Sequence, residues 1–255
     1  MSGYRLCQEK QASRPYFVRV IGTNLYTAEE LCFFFYHNPE LLDDTIMEEG
    51  LCAWVRDELG FPEISRTMER AIREYQGLAD FVLPIFRRIG YLTAAQLAAY
   101  KKTLNDLSRL SEHVRLKKKA DALVRYGIEG GALPVYEEAL AMTDPDTDFA
   151  ASVWFNMGVA NLYLFQYEEG SRCFEKANEI RPTKERNFAR VASLALALPQ
   201  GEREEALSKL EGPDAVKENV LAQIAQASSD AEVPKGDPEE WLAGLAAAYH
   251  KSMEL

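Results

Sequence analysis

The sequence predicts an all-α chain in which a small, mainly helical N-terminal domain precedes stacked antiparallel helix pairs. Three observations carry that expectation. Apolar residues recur at spacings of three and four along almost the whole chain, the period of a helix face. Helix-start signals accompany them: Thr27 with Glu30, and Thr93 with Gln96, have the spacing of a capping box. The segment "WFNMGVANLYLFQYEEGSRCFEKANEIRP", Trp154 to Pro182, sets small residues among large aromatics at intervals that let two helices touch.

Residues 4 to 21 are the exception to the helical pattern. There "YRLC" and "PYFVRVIG" read as two short strands, rich in aromatic and β-branched residues. Thr27 then opens a helix through "LCFFFYHN" that must stop before Pro39. In "DDTIMEEGLCAWVRDELG" the residues Ile46, Leu51, Trp54, Val55 and Leu59 share one helical face, with Gly60 closing the helix. A third helix is predicted from Pro62 toward Gly90, kinked at Pro84. Thr93 starts the next, whose stripe runs Leu97, Tyr100, Leu104, Leu107 and Val114, with Ser108 and Ser111 as the place where it breaks.

Those breaks divide the chain into four parts. Residues 1–107 form the mainly helical N-terminal domain, and 108–227 an array of helix pairs. Residues 228–237 are a polar linker, and 238–255 a C-terminal helix that Asp237 caps and Pro238 begins. Its apolar residues are Trp241, Leu242, Leu245 and Tyr249.

Composition bounds the function. An apolar fraction of 47% with 27% charged residues is that of a folded globular chain. No run approaches the roughly 18 apolar residues of a membrane span. The opening "MSGYRLCQEKQASRP" lacks the apolar stretch of a secretory leader, so a cytoplasmic protein is expected. The net charge of -11 argues against nucleic acid or an anionic membrane as partner. Charge is nevertheless uneven: from Lys101 to Arg125 eight Lys/Arg stand against three Asp/Glu. That segment either meets an acidic partner or pairs with acids inside the fold. Cys7, Cys32, Cys52 and Cys173 are scattered without CxxC spacing and read as structural thiols.

Catalytic signatures are missing from the pattern. His37 lies near Glu40, Asp43 and Asp44, but Pro39 breaks the helix between them, so no fixed ligand pair results. "GIEGG", Gly127 to Gly131, lacks the Lys-Ser/Thr of a phosphate loop. Neither Gly-x-Ser-x-Gly nor His-Glu-x-x-His occurs. The expectation is a non-enzyme with no cofactor and no metal.

The stretch from Trp154 splits into two antiparallel helices around "FQYEEG". Gly158, Gly170 and Ala177 mark close backbone approach, Trp154, Tyr163, Tyr167 and Phe174 fill the gaps, and Pro182 ends the pair. With Trp154, Met157-Gly158, Tyr167, Phe174, Ala177 and Pro182 in register, the segment resembles a tetratricopeptide repeat; Gly170 and Asn161 depart from that pattern. A second copy lies upstream, with Ala120, Ala132, Tyr136 and Ala139, joined through "TDPDTDF". A third begins at Glu185, with Ala192 in the glycine position and Ala206 two residues late. The three span about residues 113–212.

The resemblance implies a tetratricopeptide-like superhelix whose concave face, lined by the first helix of each pair, takes a peptide or partner helix. It implies a protein-interaction adaptor, chaperone-associated members included. The alternative is a structural or self-assembling subunit whose groove holds its own C-terminal helix or a second copy. In chaperone-binding members a clamp of Lys, Asn and Arg on the first helices grips the carboxylates of an acidic C-terminal tail. By position, Lys117, Asn156, Arg186 and Arg190 match that set, while Asp121 stands where the first repeat has Asn. Asp121 would shift preference toward a tail carrying its own Lys or Arg.

Overall fold

Thr27 opens the first helix as its pattern predicts. Its side chain accepts from the Glu30 backbone and the Glu30 carboxylate accepts from the Thr27 backbone, so helix α1 (Ala28–His37) starts with both orphan donors satisfied. This computed structural model describes residues 10–210, 212–230, 237, 239, 241–244 and 246. Ahead of α1, strands β1 (Tyr16–Val18) and β2 (Thr23–Leu25) pair antiparallel, Tyr16 opposite Leu25. The expected "PYFVRVIG" strand is thus confined to three residues, and its partner lies downstream of it; "YRLC" falls outside the described residues. Hydrogen bonds pin this strap to the body: Trp54 Nε1 donates to the Arg14 carbonyl at 2.7 Å, Tyr16 Oη donates to Glu48 at 2.7 Å, and Glu58 accepts from Ser13 Oγ at 2.7 Å and from the Ser13 and Arg14 amides at 3.0 and 3.1 Å.

After α1, two short 3-10 turns (Pro39–Leu41 and Asp44–Ile46) lead into α2 (Glu49–Asp57). Ile46 therefore sits on a separate turn, not on the α2 face, though it joins Leu51, Trp54, Val55 and Leu59 in the core. The predicted long helix from Pro62 is two: α3 (Pro62–Arg73) and α4 (Leu78–Ile89). The break is at Tyr75, whose φ of 51° leaves the helical region, while Pro84 is accommodated inside α4. Helix α5 (Ala94–Ser108) starts on the Thr93–Gln96 capping box. It ends where Ser108 suggests, so Val114 belongs to the following helix.

Seven further helices complete the described chain: α6 (Glu112–Arg125), α7 (Glu129–Ala141), α8 (Asp148–Tyr163), α9 (Tyr167–Ile180), α10 (Lys184–Ala197), α11 (Gln200–Lys209) and α12 (Asp214–Asp230). The fold is all-α, with consecutive helices packed as pairs: α6 on α7 and α8 on α9, with α7 and α9 making the joints to α8 and α10. The small residues sit at these contacts. Ala120, Ala132 and Ala139 are fully buried, and Tyr136 is 1% exposed. At Gly158 a Cβ would lie 2.6 Å from the Phe174 ring, and at Gly170 one would lie 3.3 Å from the Gly158 carbonyl. Here α8 and α9 touch backbone to side chain. Tyr163, expected to fill this seam, is instead 64% exposed, carried outward by the last turn of α8.

The third pair differs from expectation. Helix α10 packs along α9 and α12 and meets α11 only briefly. Ala192 and Ala206 are half-buried, and the contact is made by Val191, Ala195, Leu207 and Val220. Helix α12 therefore packs along α10, with its first residues at α10's N-terminal end, unlike the expected antiparallel second helix. It includes residues 228–230, assigned above to a linker.

A single hydrophobic cluster runs from Ala12 in the strap through α1–α5 into α6, α7, α8 and Cys173 of α9. It crosses residues 108–112 without interruption. Tyr100 Oη, on α5, donates to the Phe35 carbonyl at 2.5 Å. Three of the eight basic residues in that segment are answered from within: Lys119 pairs with Asp43 at 2.5 Å, Lys117 with Asp121 at 2.9 Å and Arg125 with Glu40 at 3.8 Å. No described helix is long and apolar enough to cross a membrane.

Candidate functional site

Asp121 brings together three of the five residues that the sequence singles out. Lys117, one turn earlier on α6, donates to one carboxylate oxygen at 2.9 Å. The other accepts from Asn156 Nδ2 on α8 at 2.7 Å and from Tyr136 Oη on α7 at 2.6 Å. Burial alone would raise the Asp121 pKa, but these bonds together outweigh it and hold the carboxyl below its usual range. Burial, reinforced by the same carboxylate, pushes the Tyr136 hydroxyl up. Asp121 is thus a three-helix junction. It occupies Lys117 and Asn156 with a carboxylate from the chain itself.

The other two residues lie apart from this junction. Arg190 is 6% exposed; its guanidinium bonds both Glu175 oxygens, at 3.0 and 3.1 Å, and Asn187 Oδ1 at 3.0 Å. It ties α10 to α9 from the inside and presents no face to a groove. Arg186 sits in the first turn of α10, where it donates to the Arg181 carbonyl at 2.7 Å. The five residues therefore do not form one anion-gripping set. Asn156 and Arg186 border a common concavity.

That concavity is the open feature of the array. Ser152, Phe155 and Asn156 of α8 face Thr183, Glu185 and Arg186 across a cleft of about 220 Å³. It continues past Phe155 into a wider groove of about 760 Å³, walled by Lys184, Phe188 and Ala189 of α10 and closed below by Pro213 and Val216. Local rules fix these walls. Thr183 caps α10 through the Arg186 backbone, which sets Lys184, Phe188 and Ala189 toward α8. Phe155 is braced from behind by an edge-on Phe174, with ring centroids 5.3 Å apart. The floor is apolar and aromatic, and the rim carries Lys184, Arg186 and Glu185.

A second, smaller concavity of about 270 Å³ lies where the 3-10 turns meet α6, between Leu42, Leu107 and Leu116. Its charged rim is partly self-paired through Asp43 and Lys119. Burial first, then the Lys119 and Thr45 hydrogen bonds that outweigh it, leave Asp43 below the usual carboxylate range.

His37 stacks on Phe33, with centroids 4.3 Å apart, while Glu40 and Asp43 turn to Arg125 and Lys119. Among the described residues no group of three His, Cys, Asp or Glu could hold a metal. Cys32, Cys52 and Cys173 are free and buried; burial pushes the Cys173 thiol up to about 11 and Cys52 to about 12. Such thiols are poor nucleophiles at neutral pH.

Sequence reasoning places Asn156 on a first helix but assigns nothing to Phe155, Pro213 or Val216, because it does not separate α12 from the array. Glu175 was equally invisible, since its bond to Arg190 joins residues on different helices. The Lys117–Asp121 spacing of four was the available sign that this lysine had a partner on its own helix. Comparison with protein-family models, with curated proteins and with solved structures found no match for this chain.

Proposed function

We propose that the chain is a tetratricopeptide-type, non-catalytic interaction adaptor that seats an apolar segment of a partner protein in the α8–α10 groove. The observation that carries this reading is the groove itself: an aromatic floor of Phe155 and Phe188, left uncovered between successive first helices. Helical partners bind such surfaces by laying apolar side chains at intervals of three and four into them. A segment held by its side chains is favoured over an acidic terminal tail, because Asp121 takes Lys117 and Asn156, and Glu175 takes Arg190.

The test is a displayed library of amphipathic helical peptides, selected on the full-length chain. Selected peptides are then titrated against wild type and Ala189→Glu. Ala189 is half-buried in the groove wall, and glutamate is a good helix former, so the variant blocks the groove without opposing α10. Binding should weaken about tenfold or more, equivalent to about 1.4 kcal/mol. Equal binding to both proteins, or no selected peptide at all, overturns the proposal.

A further inference from the structure

We infer that the edge of the array where α6, α8 and α10 end is a second docking surface. Its occupant is an extended, arginine-bearing segment of a partner protein, and Phe165 is its central contact. No residue of the α8–α10 groove takes part, so the inference does not rest on the adaptor reading.

Connectivity makes this edge. Helices α6, α8 and α10 run parallel, since each is joined to the next through one antiparallel helix, α7 or α9. Their C-terminal ends therefore lie along one side, with the starts of α7, α9 and α11. Four exposed large apolar side chains stand there: Tyr126, Tyr163, Phe165 and Leu196. Tyr167 adds a ring edge-on to Phe165, with centroids 6.2 Å apart. Trp241 and Leu242 are exposed too, but most of the C-terminal helix expected around them lies outside the described residues.

Packing does not explain Phe165. It stands just past α8 with φ 59°, in the left-handed region, and is 77% exposed. The preceding helix pair makes the same turn with Gly127, φ 71°. In both, the next amide reaches back five residues: Gln166 to the Asn161 carbonyl at 2.9 Å, Ile128 to the Leu123 carbonyl at 3.0 Å. Glycine adopts this conformation freely and phenylalanine only with strain. The chain thus holds a large ring in water where glycine would serve the turn better, and strain kept at an exposed side chain points to use.

Charge selects the partner. The first two turns of α7, α9 and α11 carry six carboxylates against two arginines, and Arg125 ends α6. All three arginines are engaged within the chain: Arg125 with Glu40 at 3.8 Å, Arg172 with Glu168 and Glu169, and Arg203 with the Leu198 carbonyl at 3.0 Å. Among the described residues no cation pairs with Glu129, Glu202 or Glu204. An acidic edge set with open rings suits a flat cation. Arginine is that cation, because its guanidinium stacks on aromatic faces and forks onto carboxylates. The same carboxylates repel nucleic acid and anionic membranes. Successive helix ends stand about 10 Å apart, a distance that an extended chain covers in about three residues. Arginine at every third position therefore matches the edge.

The test is calorimetric titration of the full-length chain with a nine-residue peptide, Arg-Gly-Ser repeated three times. Wild type should bind it, more weakly as salt rises. Phe165→Gly should bind about fivefold more weakly while melting no lower than wild type, so that lost binding is not lost fold. Tyr75→Gly relieves the same strain on the N-terminal body and should bind as wild type does. The lysine version of the peptide should bind about threefold more weakly than the arginine one. No binding of the arginine peptide to wild type overturns the inference, as does equal binding to Phe165→Gly or an equal loss in Tyr75→Gly. Sedimentation of the free protein tests the other occupant: dimers that Phe165→Gly abolishes would put a second copy on this edge and overturn it as well.

Discussion

Replacing Gly158 by alanine sets two opposed effects against each other, and the structure fixes which wins. In an exposed helix the change would stabilise by about 1 kcal/mol, because alanine restricts the unfolded chain and suits the helix. Here the new Cβ would stand 2.6 and 2.8 Å from atoms of the Phe174 ring. That ring is 1% exposed and backed by Phe155, so it moves aside only by displacing its neighbours. Overpacking of this kind costs about 1 to 3 kcal/mol. The net expectation is a loss of about 1 kcal/mol, or about 2 to 4 °C in melting temperature for a chain of this size. Gly130→Ala is the internal control, since its Cβ would meet nothing within 4 Å. Thermal unfolding followed by circular dichroism compares the two. Gly158→Ala should melt below wild type and below Gly130→Ala, and trimming the ring with Phe174→Leu should shrink the gap between glycine and alanine at 158. If Gly158→Ala melts as high as the control, the close approach of α8 and α9 is wrong, and with it the reason for glycine at this position.

Asp121→Ala should cost about 2 to 3 kcal/mol in denaturant titrations, because it strips a buried hydroxyl, an amide and an ammonium of one shared acceptor. The folded pKa of Asp121 is depressed, so its contribution is present above the unfolded value near about 4 and is lost as pH falls through the folded value. Wild type should therefore lose stability in acid more steeply than Asp121→Ala, and parallel acid profiles would contradict the junction. Arg190→Ala should destabilise by about 2 kcal/mol, a figure kept low because Glu175 is 41% exposed. An unchanged melting temperature would return Arg190 to the list of ligand-facing residues. Tyr75→Gly should raise stability by up to about 1 kcal/mol, since Tyr75 holds a left-handed φ of 51° while 96% exposed. A lower melting temperature would show that the tyrosine makes contacts worth more than its strain.

Local signals were legible and non-local ones were not. Thr27–Glu30 and Thr93–Gln96 act within one turn, so their capping boxes could be read directly and both form. The small-residue seam at Gly158 could be read because close helix packing leaves a stereochemical mark on the sequence. The α3–α4 break could not: Tyr75 is no usual helix stop, and Pro84 was the more conspicuous residue. Asp121 illustrates the limit for sites. Its charge suggested repulsion of a ligand, but whether a carboxylate repels or is satisfied depends on Tyr136 and Asn156, which only the packing of three helices brings near. The groove's lower wall was hidden for a related reason, since Val216 belongs to a helix whose polar, alanine-rich pattern is weakly periodic.

The groove also lies across a seam in the hydrophobic interior. Helix α8 contributes Val153 and Met157 to the cluster that reaches back to the strap, whereas α10 contributes Val191 and Ala195 to a separate, much smaller one with Leu207 and Val220. Few apolar contacts make the second cluster the first to open, so amide exchange in α10–α12 should outpace exchange in α8 under native conditions. Whatever occupies the groove touches both sides of that seam. It would act as a rivet, slowing exchange in α10–α12 by an amount that grows with its concentration, and occupancy could then be read even from α11, which lines neither part of the groove.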